Sequence, residues 1–279
     1  MSQRKPATRL GIMGGTFDPI HLGHLRAAEE IYWAFGLDQI VFVPAARPPH
    51  KDEAVVASAL HRHEMVSLAT VFTPYFTVSS VELQRPGKSY SVETVQELRK
   101  SQGPGTLLYF IVGVDAFLEM SEWRRARDLL ALSRVIVTAR PGWRLDEVEH
   151  LLAPRQRAVL GHPTFRAFKI ADIDPACIEA ERRPREVLLV EVVSLDIASR
   201  EIRQLVEEGR SIRHLVPDTV AAYMAKNRLP VPLAAGLKEE SPSTPFASRR
   251  PQPRPHLPSS PATSPSSTFG GCAPSPITF

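Results

Sequence analysis

The chain has 279 residues, 43% hydrophobic and 23% charged, with 26 prolines and a formal net charge of +4. This balance excludes a collagen, a coiled coil and a wholly disordered chain, because nearly half of the residues can enter a core. A pI near 9.2 invites a nucleic-acid reading, but clusters such as Arg124, Arg125 and Arg127 are interrupted by acids and supply no continuous basic surface.

Residues 1–8 read as a short extension, whose Arg4 and Lys5 lead into no apolar signal stretch. Leu10 to Met13 reads as a buried strand ended by Gly14 and Gly15, and Leu25, Ala28, Ile31, Tyr32 and Phe35 then recur at helical spacing until Gly36 caps the helix. A strand at Gln39 to Val43, a loop from Pro44 to Lys51 and a helix from Ser58, its N-cap, to Thr70 follow. Tyr75 to Ser79 reads as a strand, Ser91 to Lys100 as a helix, and Thr106 to Val112 and Arg134 to Thr138 as strands. From Trp143 to Glu186 the pattern is mixed and assigns no element. Leu188 to Val193 is the last strand, and helices at Ser199 to Glu208 and Pro217 to Asn227 close the body.

Strands alternating with helices predict an α/β fold: a doubly wound parallel sheet over residues 9–230, with ligands bound beyond the carboxyl ends of the strands. Residues 231–279 hold 11 of the prolines and nine serines. With so little apolar content, they read as a disordered tail with no part in catalysis. Cys177 and Cys272 are the only cysteines, too few for a disulfide framework or a four-ligand zinc site. No run reaches the roughly 18 apolar residues of a membrane helix. The expectation is a soluble cytoplasmic protein that binds neither membrane nor nucleic acid; a homo-oligomer is compatible with the sequence and not fixed by it.

The first loop, Gly14-Gly15-Thr16-Phe17-Asp18-Pro19-Ile20-His21-Leu22-Gly23-His24-Leu25, carries the chemistry. Two glycines after a strand let backbone approach a ligand, and the next helix aims its N–H groups and dipole at an anion. His21 and His24, three apart at that helix start, can face one anion together. The string is neither G-x-x-x-x-G-K-S/T nor G-x-G-x-x-G, so the P-loop and dinucleotide readings fail.

This string resembles the signature of the HxGH nucleotidyltransferases, and over about Arg9 to Leu229 the chain is similar to the bacterial nicotinate-nucleotide adenylyltransferases. The resemblance implies a Rossmann-like HxGH fold and transfer of the adenylyl group of ATP to nicotinate mononucleotide, giving deamido-NAD and pyrophosphate for NAD biosynthesis. It implies that His21, His24, Lys51 and Arg203 are catalytic, and that Gly14, Gly15, Thr16, Gly23, Gly113, Asp115 and Ser199 bind ATP. Arg47-Pro48-Pro49-His50-Lys51 is similar to the family's Pro-Pro-His-Lys loop. Ser89-Tyr90-Ser91 is similar to the Ser-Tyr-Thr segment that holds the nicotinate carboxylate through backbone N–H groups. Gly113-Val114-Asp115 with Trp123 matches the Gly-x-Asp…Trp spacing, in which the indole stacks on the pyridine ring. His50, Ser89, Tyr90, Ser91, Trp123 and Arg140 thus become the implied mononucleotide site.

One segment departs from the family pattern. Ala198 stands where the family has Ser, and Arg200 where it has Ser or Thr, so hydroxyl contacts to phosphate are missing and Arg200 supplies a charge instead. The attacking phosphate has a second pKa of about 6 and is already ionised near neutral pH, so no general base is expected. Magnesium is expected to enter with ATP, since it prefers phosphate oxygens and water to an all-protein cage. Two other readings share these residues: adenylyl transfer to nicotinamide mononucleotide or phosphopantetheine, and a degenerate nucleotide-binding module.

Overall fold

In the computed structural model, which describes residues 8–49, 56–103, 105–139, 148, 150–180, 183, 185–193 and 195–229, the apolar runs pair as parallel strands. All of these residues lie in the first of two units, Met1–Ala235 and Gly236–Phe279. The expectations for residues 1–7 and for the tail fall outside the described residues.

The strands are β1 (Arg9–Gly15), β2 (Gln39–Pro44), β3 (Phe76–Val78), β4 (Leu107–Gly113), β5 (Arg134–Ala139), β6 (Thr164–Lys169) and β7 (Glu186–Glu191). They form one sheet in the order β3-β2-β1-β4-β5-β7-β6, every pairing parallel. Between them run α1 (Leu22–Ala34), α2 (Ala59–Thr70), α3 (Ser91–Gln102), α4 (Val114–Leu118), α5 (Ala126–Leu132), α6 (Pro154–Val159) and α7 (Pro175–Ala180), with α8 (Ser199–Glu207) and α9 (Asp218–Asn227) after β7.

The strands read as continuous apolar runs because both faces of the sheet are covered. Met13, Ile40, Phe42, Tyr109, Ile111, Ile136 and Leu188 share one core with Ala28 and Ile31 of α1, Met65 and Val66 of α2, Ile202 of α8 and Val220 and Met224 of α9. Their strand neighbours Leu10, Ile12, Val41, Phe110, Val112, Val135 and Val187 share the other with Val92 and Val95 of α3, Phe117 of α4 and Leu129 of α5. The chain runs from β1 toward β2 and β3, then returns to place β4 on the other side of β1. That reversal opens a crevice at the carboxyl ends of β1 and β4.

The expected doubly wound sheet is what forms, and Ser58 caps α2 by accepting from the His61 N–H at 3.2 Å. Pro217 precedes α9 as its N-cap and is not its first residue. The stretch that gave no assignable pattern holds β6, an edge strand whose residues are only half-buried or exposed. β7 starts at Glu186, two residues before the expected start at Leu188, with this carboxylate buried between Arg166 at 3.1 Å and Arg134 at 3.8 Å. Among the described residues, no helix is long and apolar enough to cross a membrane.

Replacing Glu186 strands two guanidinium groups at the amino-terminal end of the sheet, far along the strands from the crevice. Glu186→Ala is expected to lower unfolding stability by about 3 kcal/mol. Urea denaturation checks this, and an unchanged midpoint would contradict it.

Candidate active site

The crevice is a cleft of about 940 Å³, large enough for two small substrates or one dinucleotide. Its walls come from the carboxyl ends of β1, β4 and β5 and from the first residues of α1, α3, α4 and α8.

Beyond β1 the chain turns sharply. A side chain at Gly15 would put its Cβ 2.9 Å from the Phe17 ring, so only glycine lets that ring fold back beneath the loop. Phe17 itself is left-handed, with φ of 51°, and its buried ring meets His24 edge-on at 5.1 Å and Phe42 at 6.0 Å. Packing thus pins a strained residue at the base of the site.

His21 is the N-cap of α1, and the His21 backbone N–H donates to His24 Nδ1 at 3.3 Å. With Nδ1 accepting, the neutral His24 ring carries its proton on Nε2, which makes that nitrogen the donor. The His21 and His24 rings stack with centroids 3.7 Å apart and planes inclined by 28°. Gly23 permits this stack, since a Cβ there would stand 3.1 Å from His21 Nδ1 and 3.3 Å from the Leu195 carbonyl oxygen. The histidine pair and the glycine between them are one steric unit.

Three anchors hold the loops around the pair. The first is Arg62 of α2, 1% exposed. It donates to the carbonyls of Thr16 at 2.8 Å, Ala46 at 3.1 Å and Ala57 at 2.9 Å, joining the loops after β1 and β2. Burial pushes its pKa down, and the Asp18 and Glu82 carboxylates push it back up. The second anchor is α8: Ser199 Oγ donates to the Pro19 carbonyl at 2.9 Å, and Arg203 donates to the Asp18 carbonyl at 2.6 Å and lies 3.7 Å from its carboxylate. The third is Glu30 of α1, buried beside Arg26, which accepts the Val193 N–H at 2.7 Å and fixes the segment leading into α8.

On the other wall, the Ser89 N–H donates to the Arg47 carbonyl at 2.9 Å while Ser89 Oγ accepts the Arg47 N–H at 3.1 Å. This pair of hydrogen bonds locks the loop after β2 to the start of α3, whose N-cap is Tyr90. Arg124 covers the Tyr90 ring at 4.8 Å. Trp123 meets Phe110 edge-on at 6.2 Å.

The cleft therefore brings together Gly14, Gly15, Thr16, His21, Gly23, His24, Ser89, Tyr90, Ser91, Gly113, Asp115, Trp123 and Ser199, all of them expected from the sequence. His50, Lys51 and Arg140 lie outside the described residues. Arg203 is not on the cleft wall: it grips the loop carrying Asp18 from behind. Ala198 lines the cleft as the N-cap of α8 and makes no side-chain cap, so the first amides of that helix compete with no hydroxyl. Arg200, read as a compensating charge, is exposed and off the cleft wall. Sequence reasoning missed Arg62, Glu30 and Glu82. Arg26 and Glu30 at four-residue spacing carry a signal, but it reads as a surface pair.

Residues 12–208 match the family model described as cytidylyltransferase-like. The chain is 40% identical over 232 residues to a protein of Moorella thermoacetica named as a probable nicotinate-nucleotide adenylyltransferase, covering 83% of this chain and 96% of the relative. A protein of the same name from Geobacter sp. strain M21 is 42% identical over 222 residues, covering 79% and 97%. Among solved structures, the Plasmodium falciparum nicotinic acid mononucleotide adenylyltransferase complexed with NaAD aligns with a TM-score of 0.56 at 17% identity, over 80% of this chain and 97% of that one. At that identity the likeness is one of fold.

Arg62→Leu leaves three carbonyls, one buried and two half-buried, without their donor. It is expected to lower stability by about 3 kcal/mol, read from thermal or urea unfolding. A variant as stable as the parent would show that the loops do not depend on this residue.

Proposed function

The chain belongs to the cytidylyltransferase-like family, and from that premise we infer that it acts as a nicotinate-nucleotide adenylyltransferase in NAD biosynthesis. One observation carries the reading at the site: a single cleft collects the stacked histidine pair at the start of α1, the start of α8, the start of α3 and Trp123. Those are devices for phosphate, phosphate, carboxylate and aromatic ring in turn.

The reaction joins two phosphate-bearing substrates. An oxygen of the mononucleotide phosphate attacks the α-phosphorus of ATP, a new P–O bond forms, and the bond to the β-phosphate oxygen breaks in line to release pyrophosphate. The nucleophile is already ionised, so the protein's work is positioning and charge stabilisation. His24 supplies a donor at Nε2, oriented by the His21 amide on Nδ1. His21, stacked on it and seated against Gly23, forms the second half of the anion site. The Gly14-Gly15 turn brings backbone close to the phosphates, and the amides of Ser199 and the residues after it add donors from α8. Arg203 acts as a positioning residue through Asp18, and Lys51 is the further cation implied by its loop. At the acceptor end, the N–H groups at the start of α3 suit the nicotinate carboxylate, and Trp123 suits the pyridine ring.

Among the described residues, no group of three or more His, Cys, Asp or Glu could hold a metal ion. Magnesium would enter as the counter-ion of ATP, held by phosphate oxygens and water, with Asp115 one of several carboxylates on the cleft wall. When bound, the ion neutralises charge on the phosphates.

Pyrophosphate release from ATP is the measurement that tests this reading. The purified chain is expected to release it with nicotinate mononucleotide, more slowly with nicotinamide mononucleotide, whose amide presents N–H donors to the donors of α3, and not with phosphopantetheine. ATP binding without turnover would refute the assignment in favour of a binding module. His24→Ala is expected to fold and to lose about 10²-fold in turnover; near-parental turnover would remove the histidine from the mechanism.

A further inference from the structure

Arg124 lines the cleft and has no task in the transfer described above. It follows Trp123 directly, in the stretch between the one-turn helix Met120–Glu122 and α5. The backbone bonds of that stretch are local: the Trp123 N–H donates to the Met120 carbonyl at 3.0 Å, and the Ala126 N–H donates to the Trp123 carbonyl at 3.3 Å. Arg125, the N-cap of α5, is left-handed, with φ of 54°. The half-buried indole rests edge-on against Phe110 of β4. None of these features ties Trp123 to the start of α3, the other half of the acceptor site.

Arg124 makes that tie. Its guanidinium covers the ring of Tyr90, the N-cap of α3, at 4.8 Å, and its Nε lies 3.8 Å from Oε1 of Glu93 in the first turn of the helix. Glu93 turns its other oxygen to Arg85 at 3.7 Å, and Arg85 is bonded to Thr94 and Glu97 of α3 at 3.1 Å each. The Arg124 side chain is 56% exposed, so each attachment is modest in strength. Both nevertheless act on one coordinate, the distance between the indole and the helix start. A nicotinate ring has its carboxylate fixed to it, so a platform for the ring and donors for the carboxylate must stand at one separation before the ligand arrives. The glycine turn, the histidine pair and α8, which serve the phosphates, make no contact with Arg124 among those described.

We propose that Arg124 is a positioning residue for the acceptor: by clamping the Trp123 stretch to Tyr90 and Glu93, it sets the slot into which the nicotinate ring and carboxylate fit. This rests on the adenylyl-transfer reading above. The test measures kcat and the KM of each substrate in the full-length parent, Arg124→Ala, Arg124→Lys, Tyr90→Leu and the double variant Arg124→Ala with Tyr90→Leu, with folding followed by circular dichroism. Arg124→Ala is expected to fold as the parent does and to raise the KM for nicotinate mononucleotide about three- to tenfold, the scale of an exposed cation–π contact and a loose ion pair. Its kcat and its KM for ATP stay at the parental values. Arg124→Lys, which keeps a cation over the ring, stays within about twofold of the parent. Because Arg124 acts through Tyr90, adding Arg124→Ala to Tyr90→Leu raises the KM by less than about twofold. An unchanged KM for nicotinate mononucleotide in Arg124→Ala overturns the proposal, as does a KM for ATP that rises with it, which marks a general loss of structure. So does a lysine variant no better than alanine. Fully additive effects in the double variant overturn it as well, since Arg124 would then touch the acceptor itself. Failure of the parent to turn over nicotinate mononucleotide at all would overturn the reaction, an outcome distinct from any change among the variants.

Discussion

A guanidinium with almost no contact with water organises this site. Arg62 reaches three carbonyls from three stretches of chain, and two of them, at Thr16 and Ala46, belong to the loops that leave adjacent strands at the cleft. Taking that charge out of water opposes folding, and the Asp18 and Glu82 carboxylates offset part of the penalty. Asp18 is held in turn by Arg203 of α8, and Glu82 by Thr94 of α3. One cation therefore couples the floor of the phosphate region to both α8 and α3.

The sheet sets the scale on which this works. Parallel strands with apolar residues on both faces place all carboxyl ends on one side, and the reversal between β2 and β4 about β1 parts the loops there. Helices from both layers then present their first residues to the same space: α1 and α8 from one side, α3 and α4 from the other. A phosphate-rich reaction suits such a site, because helix starts and glycine turns supply donors that need not reorganise as charge moves.

Much of this was legible from residues that act next to their sequence neighbours. Gly14 to His24 is contiguous, and the steric reasons for Gly15, Gly23 and the histidine pair all lie within that string. What stayed hidden depends on segments meeting in space. Arg62, between His61 and His63 on a helix with little amphipathic contrast, looks like part of a solvated face until the loops after β1 and β2 close over it. Glu30 looks like half of a surface pair with Arg26 until Val193 arrives on its second oxygen. β6 escaped because an edge strand needs only partial burial, and Thr164, Arg166 and Lys169 break its apolar run. Arg203 was legible as important but not as a strut, since nothing local distinguishes a phosphate ligand from a residue that grips a loop carbonyl.

The anchors around the site share one property: Arg62, Ser199 and Arg203 all bind main-chain carbonyl oxygens, and Glu30 binds a main-chain N–H. Geometry written in peptide groups does not depend on which side chains occupy the gripped positions. Residues 16, 19, 46, 57 and 193 can therefore drift in identity over evolutionary time without moving the loops, provided the grips persist. Position 198 obeys the same logic, for an alanine there still delivers the backbone amides of the following helix. A substitution at such a place is expected to change the side chain and leave the main-chain frame where it is.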